Sequence, residues 1–319
     1  MKSLLSACKQ VTIPSMSFPG RINMDSFLPR NRKDKVVIVI GATGTGKSRL
    51  AIDLATKFPA EIVNSDKMQV YKGLDIATNK VTHDECRGIP HHLLGFLDPN
   101  LDFTANDFGH HASMVVESIV SKDRLPIVAG GSNSYVKALV HDNIEFKSRY
   151  ACCVLWVHVS LPVLHSFVSK RVDRMVRAGL VDEVRRLYDP NLTDRNVGIR
   201  RAIGVPELDR FFANENPETL KEAISTVKTN TCKLASRQLK NIISLQTQMK
   251  MDLHHLDATE VFLKNGLEAD EAWERLVAGP SGLIVGDFLY EEERELKKTI
   301  MKTVAPPPMT TAIAAVARW

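Results

Sequence analysis

A chain of 319 residues that is 44% hydrophobic can bury one large core or two modest ones. It shows no repeat at solenoid periods, no apolar run near the roughly 18 residues of a membrane helix, and five scattered cysteines (8, 86, 152, 153, 232) without a C-x-x-C pair. A repeat array, a helical membrane anchor, a disulfide framework and a zinc module are thereby excluded, and the cysteines fit a reducing compartment. The net charge of +5 sits in the first 35 residues, which hold seven basic and two acidic side chains. The other 284 residues keep 35 of the 42 basic and 35 of the 37 acidic groups. This neutral body is expected to exert no overall pull on nucleic acid.

In chain order, "MKSLLSACKQVTIPSMSFPGRINM" has no acid before Asp25, several serines and scattered bases, with no apolar signal-peptide core. Residues 1–34 are expected to be a disordered tail acting as an organelle transit peptide. "KVVIVIG" (35–41) is an apolar run closed by glycine, the pattern of a strand buried on both faces of a parallel sheet. "KSRLAIDLATKF" follows as a helix with Leu50, Ala51, Leu54, Ala55 and Phe58 on one stripe. Further strands are expected at 60–66, 125–129 and 152–160, with a late one within 252–259. Helices are expected at 104–121, 162–178, 180–188 and much of 218–250. Alternating strands and helices predict an α/β fold, a P-loop NTPase-like parallel sheet flanked by helices, with ligands at the carboxyl ends of the strands. The helical second half is expected to form a lobe over that edge. The domain then spans 35–290, and 291–319, ending "VAPPPMTTAIAAVARW", is expected to be a flexible tail.

Gly41-x-x-x-x-Gly46-Lys47-Ser48 is a complete phosphate-binding loop between a buried strand and an amphipathic helix. Backbone N–H groups of Gly41, Ala42, Thr43, Gly44, Thr45 and Gly46 can wrap an anion, Lys47 can reach an outer phosphate, and the Ser48 hydroxyl suits Mg²⁺. A motor or switch NTPase also needs an apolar strand ending in Asp to hold the metal. The later strands offer none, and the only acid expected at a strand end is Asp66, 19 residues past Lys47. Small-molecule P-loop kinases place an acceptor-binding group there. The residues therefore indicate a transferase with a small acceptor, by phosphoryl transfer or by chemistry in which a diphosphate leaves.

"GATGTGKS", "NSDKMQVYKGLDIATNK" (64–80), "PHHLLG" (90–95), "IVAGGSNSY" (127–135) and "IRRAIGVPELD" (199–209) occur in order. Together they resemble the isopentenyltransferases, prenyltransferases acting on the N6 amine of adenine, over residues 35–280. The wording is most similar to the plant-type adenylate isopentenyltransferases of cytokinin synthesis; tRNA dimethylallyltransferases form the sister group. The resemblance implies that the loop and Mg²⁺ hold the diphosphate of dimethylallyl diphosphate, that Asp66 is the general base on the amine, and that Thr43 orients it. It implies ATP and ADP, and less well AMP, as acceptors. The absence of a long apolar run and the neutral body predict no membrane and no nucleic-acid partner, and the tail suits a plastid location, with cytoplasm or mitochondrion as alternatives. Arg171 and Arg237 match family arginines on the phosphate side.

Other clusters read more plainly. Arg174 shares a helix face with Arg171 and divides equally between the anionic site and a solvated face with Asp173, Asp182 and Glu183. Lys233, Arg237 and Lys240 form one basic stripe, of which Lys233 and Arg237 suit acceptor phosphates and Lys240 an ordinary surface. His91-His92 lacks metal partners at ligand spacing and suits a structural or substrate-edge role. Cys152, Cys153, Trp156 and Trp273 read as core. The first alternative is a tRNA dimethylallyltransferase modifying an anticodon-loop adenine, which the neutral body and the lack of a C-terminal zinc finger oppose. A P-loop kinase and a non-catalytic nucleotide-binding module are the others; the 64–80 block and the joint presence of Lys47, Ser48 and Asp66 oppose them.

Overall fold

The computed structural model describes residues 33–191, 196–249 and 252–290. The expected transit peptide, up to residue 32, and the expected C-terminal tail lie outside these residues; the expected N-terminal tail boundary at 34 falls inside β1, which begins at Asp34. In chain order the elements are β1 (Asp34–Ile40), α1 (Lys47–Lys57), β2 (Ala60–Asn64), β3 (His91–His92), α2 (Ala105–Val120) and β4 (Leu125–Ala129). They continue with α3 (Asn133–Lys137), α4 (Ile144–Arg149), β5 (Tyr150–His158), α5 (Leu161–Arg177), α6 (Leu180–Arg185), α7 (Val205–Ala213), α8 (Pro217–Met249), β6 (Leu253–Asp257) and α9 (Gly266–Trp273). Residues 279–290 are helical as well.

The six strands form one sheet in the order β3-β2-β4-β1-β5-β6, and every pairing is parallel. Because successive side chains leave a strand on opposite faces, β1 supplies both cores. Val36, Ile38 and Ile40 join Phe108, Ala112, Val116 and Ile119 of α2 on one face. Val37 and Val39 join Leu50 and Leu54 of α1 and Leu164 and Val168 of α5 on the other. A strand covered on both sides has no use for a polar residue, hence the unbroken apolar runs. Cys153, Trp156 and Trp273 are buried, as expected.

The ends of α2 follow local chemistry. The Thr104 side chain accepts from the Asp107 N–H while Asp107 accepts from the Thr104 N–H, a reciprocal cap on the first turn. The shorter helices α3, α4, α7 and α9 were not anticipated. The expected strand at 60–66 stops at Asn64, which releases Ser65 and Asp66 into a loop. One expectation fails: Asp66 is not the only acid near a strand end, because β6 closes on Asp257. That carboxylate accepts from the Thr259 hydroxyl (2.6 Å) and the Thr259 N–H (2.9 Å) and is no part of the cavity described below.

The histidine pair is structural. His91 Nδ1 lies 2.8 Å from the Ile89 carbonyl and His92 Nε2 lies 2.7 Å from Glu61 Oε2. Glu61, on β2, is only 7% exposed in its side chain and also pairs with Arg124 and Lys122. Burial alone would raise its pKa. The hydrogen bond with His92 and the charges of Lys122, His92 and Arg124 outweigh burial and hold the carboxyl below its ordinary 4.5. Its contribution to stability is then complete above pH 4.5 and lost as the pH falls through the lowered folded value. Glu61→Gln, which leaves these cations without their anion, should cost about 2 kcal/mol at pH 7. In urea titrations the gap from wild type should close as the pH drops below 4.5.

Candidate active site

The sheet order sets the loops after β1, β4 and β2 side by side at the carboxyl edge. Those loops (residues 41–48, 130–133 and 65–69), with α5, α8 and residues 72–83, line a cavity of about 1620 Å³. Of the expected site residues, Thr43, Gly44, Gly46, Lys47, Ser48, Asp66, Arg171, Lys233 and Arg237 all line it. Gly41, Ala42 and Thr45 form the underside of the loop instead: Thr45 is 1% exposed and its hydroxyl donates to the Ala42 carbonyl (3.0 Å). Lys240 is exposed and outside the cavity, as expected.

The loop is braced from below by Trp273 of α9. A Cβ on Gly46, whose φ is +95°, would lie 2.8 Å from the Trp273 ring. The indole N–H donates to Asp53 (2.8 Å), and the Arg49 guanidinium sits 4.7 Å from the ring centroid. Trp273 was expected in the core, and the structure adds this supporting contact.

Lys47 donates to the Ala42 carbonyl at 2.7 Å. Burial pulls its pKa down to about 8, partly countered by the Asp66 charge and deepened by Arg171. Arg171, from α5, donates to the Thr43 hydroxyl at 3.0 Å. Burial again lowers its pKa, to about 10, with Asp66 opposing and Arg174 adding to the shift. Two partly buried, largely desolvated cations thus share the nearby Asp66 carboxylate, an excess of positive potential suited to a polyanion. Asp66 Oδ1 accepts from the Met68 N–H (3.0 Å), which orients the carboxylate.

Arg174 also lines the cavity, its guanidinium 5.2 Å from the Phe167 ring centroid. Asp173 pairs with Lys228 at 2.6 Å. Glu183 corrects the expectation of a solvated face: its two oxygens accept from the Ile76 and Ala77 N–H groups, each at 2.9 Å, and tie the 72–80 segment of the cavity wall to α6. On α8, residues 227, 230, 231, 233, 234, 237, 238 and 241 line the cavity, one face over four turns. The sequence reading missed Gln238, the neighbour of Arg237. Among the described residues no three His, Cys, Asp or Glu side chains gather as a metal cage.

The floor depends on Gly130. A Cβ there would lie 2.2 Å from the Ser65 carbonyl carbon, a collision between backbones that no rotamer change relieves. Gly130→Ala should therefore cost about 3 kcal/mol, read as a lower Tm, and displace the loop that carries Asp66.

A wholly parallel sheet of this order, with a glycine loop and lysine after a central strand and a helix starting on that lysine, defines a P-loop α/β protein. Residues 69–149 and 142–242 match the family model described as IPP transferase. The chain is 57% identical to a chloroplastic adenylate isopentenyltransferase of Arabidopsis thaliana over the whole of both chains. It is 52% identical to a mitochondrial one over 93% of each, and 30% identical to a tRNA dimethylallyltransferase of the same plant over 82% of this chain and 81% of that one. Among solved structures, a eukaryotic dimethylallyltransferase acting on tRNA matches in fold with a TM-score of 0.73 at 24% identity, over 81% and 80% of the two chains. A tRNA isopentenylpyrophosphate transferase from Bacillus halodurans matches with a TM-score of 0.65 at 26% identity, over 83% and 100%. The chain belongs to the IPP transferase family and is a prenyltransferase.

Proposed function

We propose that this enzyme transfers the dimethylallyl group of dimethylallyl diphosphate to the N6 amine of ATP or ADP, and less well AMP, the first step of cytokinin synthesis. The observation that carries this reading is one cavity that joins the phosphate loop, the Asp66 carboxylate beside it and a second cationic pair on α8. A reaction between two phosphorylated substrates needs two anion sites with the reacting atoms between them. The relatives named for adenylate support the acceptor.

In this reading the loop amides other than that of Thr43, which donates to Gln238 Oε1 (2.7 Å), hold the donor diphosphate with Lys47 and Arg171. The adenine amine shares its lone pair with the ring, so it attacks only as its proton is removed. Asp66 takes that proton while the N6–C1 bond forms; the C1–O bond breaks and its electron pair leaves with the diphosphate. Thr43, fixed by Arg171, orients the amine. Lys233 and Arg237 meet the outer phosphates of the acceptor, which accounts for a preference for ATP and ADP over AMP. Mg²⁺ suits the donor set: it binds through few protein oxygens and takes substrate phosphate and water for the rest, and the Ser48 hydroxyl, in the cavity lining, would be one of those oxygens. Bound there, it would neutralise charge on the leaving group.

The purified enzyme with dimethylallyl diphosphate, Mg²⁺ and ATP should yield prenylated ATP and free diphosphate, with fragmentation placing the added mass on the base. Conversion of ATP to ADP without prenylation would refute the reading. A plastid location is supported by the chloroplastic relatives; a full-length fluorescent fusion found in mitochondria or cytosol would overturn it.

A further inference from the structure

We infer that Gln238 is a positioning residue: its side-chain amide, reaching in from α8, fixes the spacing between the phosphate loop and the shelf that carries Asp66. This rests on the reaction proposed above. Gln238 is 8% exposed and lies at the meeting of three elements. Its Oε1 accepts from the Thr43 N–H at 2.7 Å, and its Nε2 donates to the Gly131 carbonyl at 2.8 Å. The amide can face only one way, because a backbone N–H only donates and a carbonyl only accepts. Asn133 donates to the Gln238 backbone carbonyl at 3.0 Å, so α8 is itself held at this point.

The contacts continue to the carboxylate. The Ser132 hydroxyl accepts from the Lys67 N–H at 2.8 Å, and the Ser132 N–H donates to the Ser65 carbonyl at 3.2 Å. Residues 65 and 67 flank Asp66. A Cβ on Gly131 would stand 2.6 Å from Gln238 Nε2 and 3.7 Å from Asp66 Oδ2, so the residue clamped by Gln238 lies beside the carboxylate. One side chain of the helical lobe therefore joins the loop that orients the leaving group to the loop that orients the base. Thr43 is gripped twice, by Arg171 at its hydroxyl and by Gln238 at its N–H. A relative shift of about 1 Å between reacting groups costs on the order of 100-fold in rate. Gln238 touches neither reacting atom and acts through Thr43 and Gly131.

Two variants and two readouts test this. Gln238→Met keeps the length and removes both bonds. Gln238→Glu keeps the acceptor for Thr43 and regains a donor for Gly131 only when protonated; burial beside a carbonyl raises its pKa. Gln238→Met should lower kcat on the order of 10- to 100-fold, with KM for dimethylallyl diphosphate and ADP changed by less than about threefold. For Gln238→Glu, kcat relative to wild type should rise as the pH is lowered from about 8 to 6, while the Gln238→Met ratio stays flat. Amide hydrogen exchange should show Thr43 protected in wild type and exposed in Gln238→Met. Near wild-type kcat in folded Gln238→Met, or a flat ratio for Gln238→Glu, overturns the positioning role. If wild type prenylates no adenylate, the proposed function fails, and unchanged Thr43 exchange in Gln238→Met would separately overturn the clamp.

Discussion

Asp66→Ala should lose about 10²- to 10⁴-fold in kcat, the usual contribution of a positioned general base, and still bind dimethylallyl diphosphate. The two halves of this expectation have different sources. The carboxylate lines the cavity beside the loop and is oriented by Met68, and in the proposed reaction its removal leaves the amine proton without an acceptor. It is also the anion whose charge opposes the pKa depression of Lys47 and Arg171. Without it, the donor diphosphate becomes the counter-ion of both cations, which favours binding. Asp66→Asn, of equal size, should behave in the same way. Pre-steady-state quenching separates the effects, with donor bound at full occupancy and slow product formation. A folded Asp66→Ala enzyme with near wild-type kcat would remove Asp66 from the mechanism.

Lys47→Ala should weaken donor binding and turnover together, each on the order of 10- to 100-fold, because a buried charge-assisted contact contributes about 1.5–3 kcal/mol. The depressed pKa adds a signature. With a value of about 8 in the free enzyme, Lys47 gives up its proton as the pH rises through 8. A bound diphosphate favours the ammonium and raises that value again. Binding near pH 8.5 should then take up a proton, and affinity should fall as the pH rises further. Calorimetry with inorganic diphosphate in two buffers of different ionisation enthalpy measures the uptake, which Lys47→Met should reduce.

Legibility of the fold in the sequence followed its physics. β1, β4 and β5 are buried on both faces and carry unbroken apolar runs. Helix α2 is long and capped, so its pattern and its boundary were both visible. Helices α3, α4, α7 and α9 span only five to nine residues, too short to display a helical period. The phosphate loop was readable because its parts are contiguous. Gln238 was not, because its partners lie 195 and 107 positions away. Glu183 looked solvated because the amides it binds, 76 and 77, are distant in sequence. Trp273 read correctly as buried, but nothing in the sequence marks which loop a buried ring supports.

The central claim is that an adenine nucleotide, rather than an RNA, accepts the prenyl group. The direct test offers purified enzyme dimethylallyl diphosphate and Mg²⁺ with ATP, ADP, AMP and an adenine-containing anticodon stem-loop in one competition, with products identified by mass spectrometry. Prenylated ATP and ADP with unmodified RNA is the predicted result. Prenylated RNA with unreacted nucleotides would contradict it and assign Lys233 and Arg237 to an RNA backbone instead.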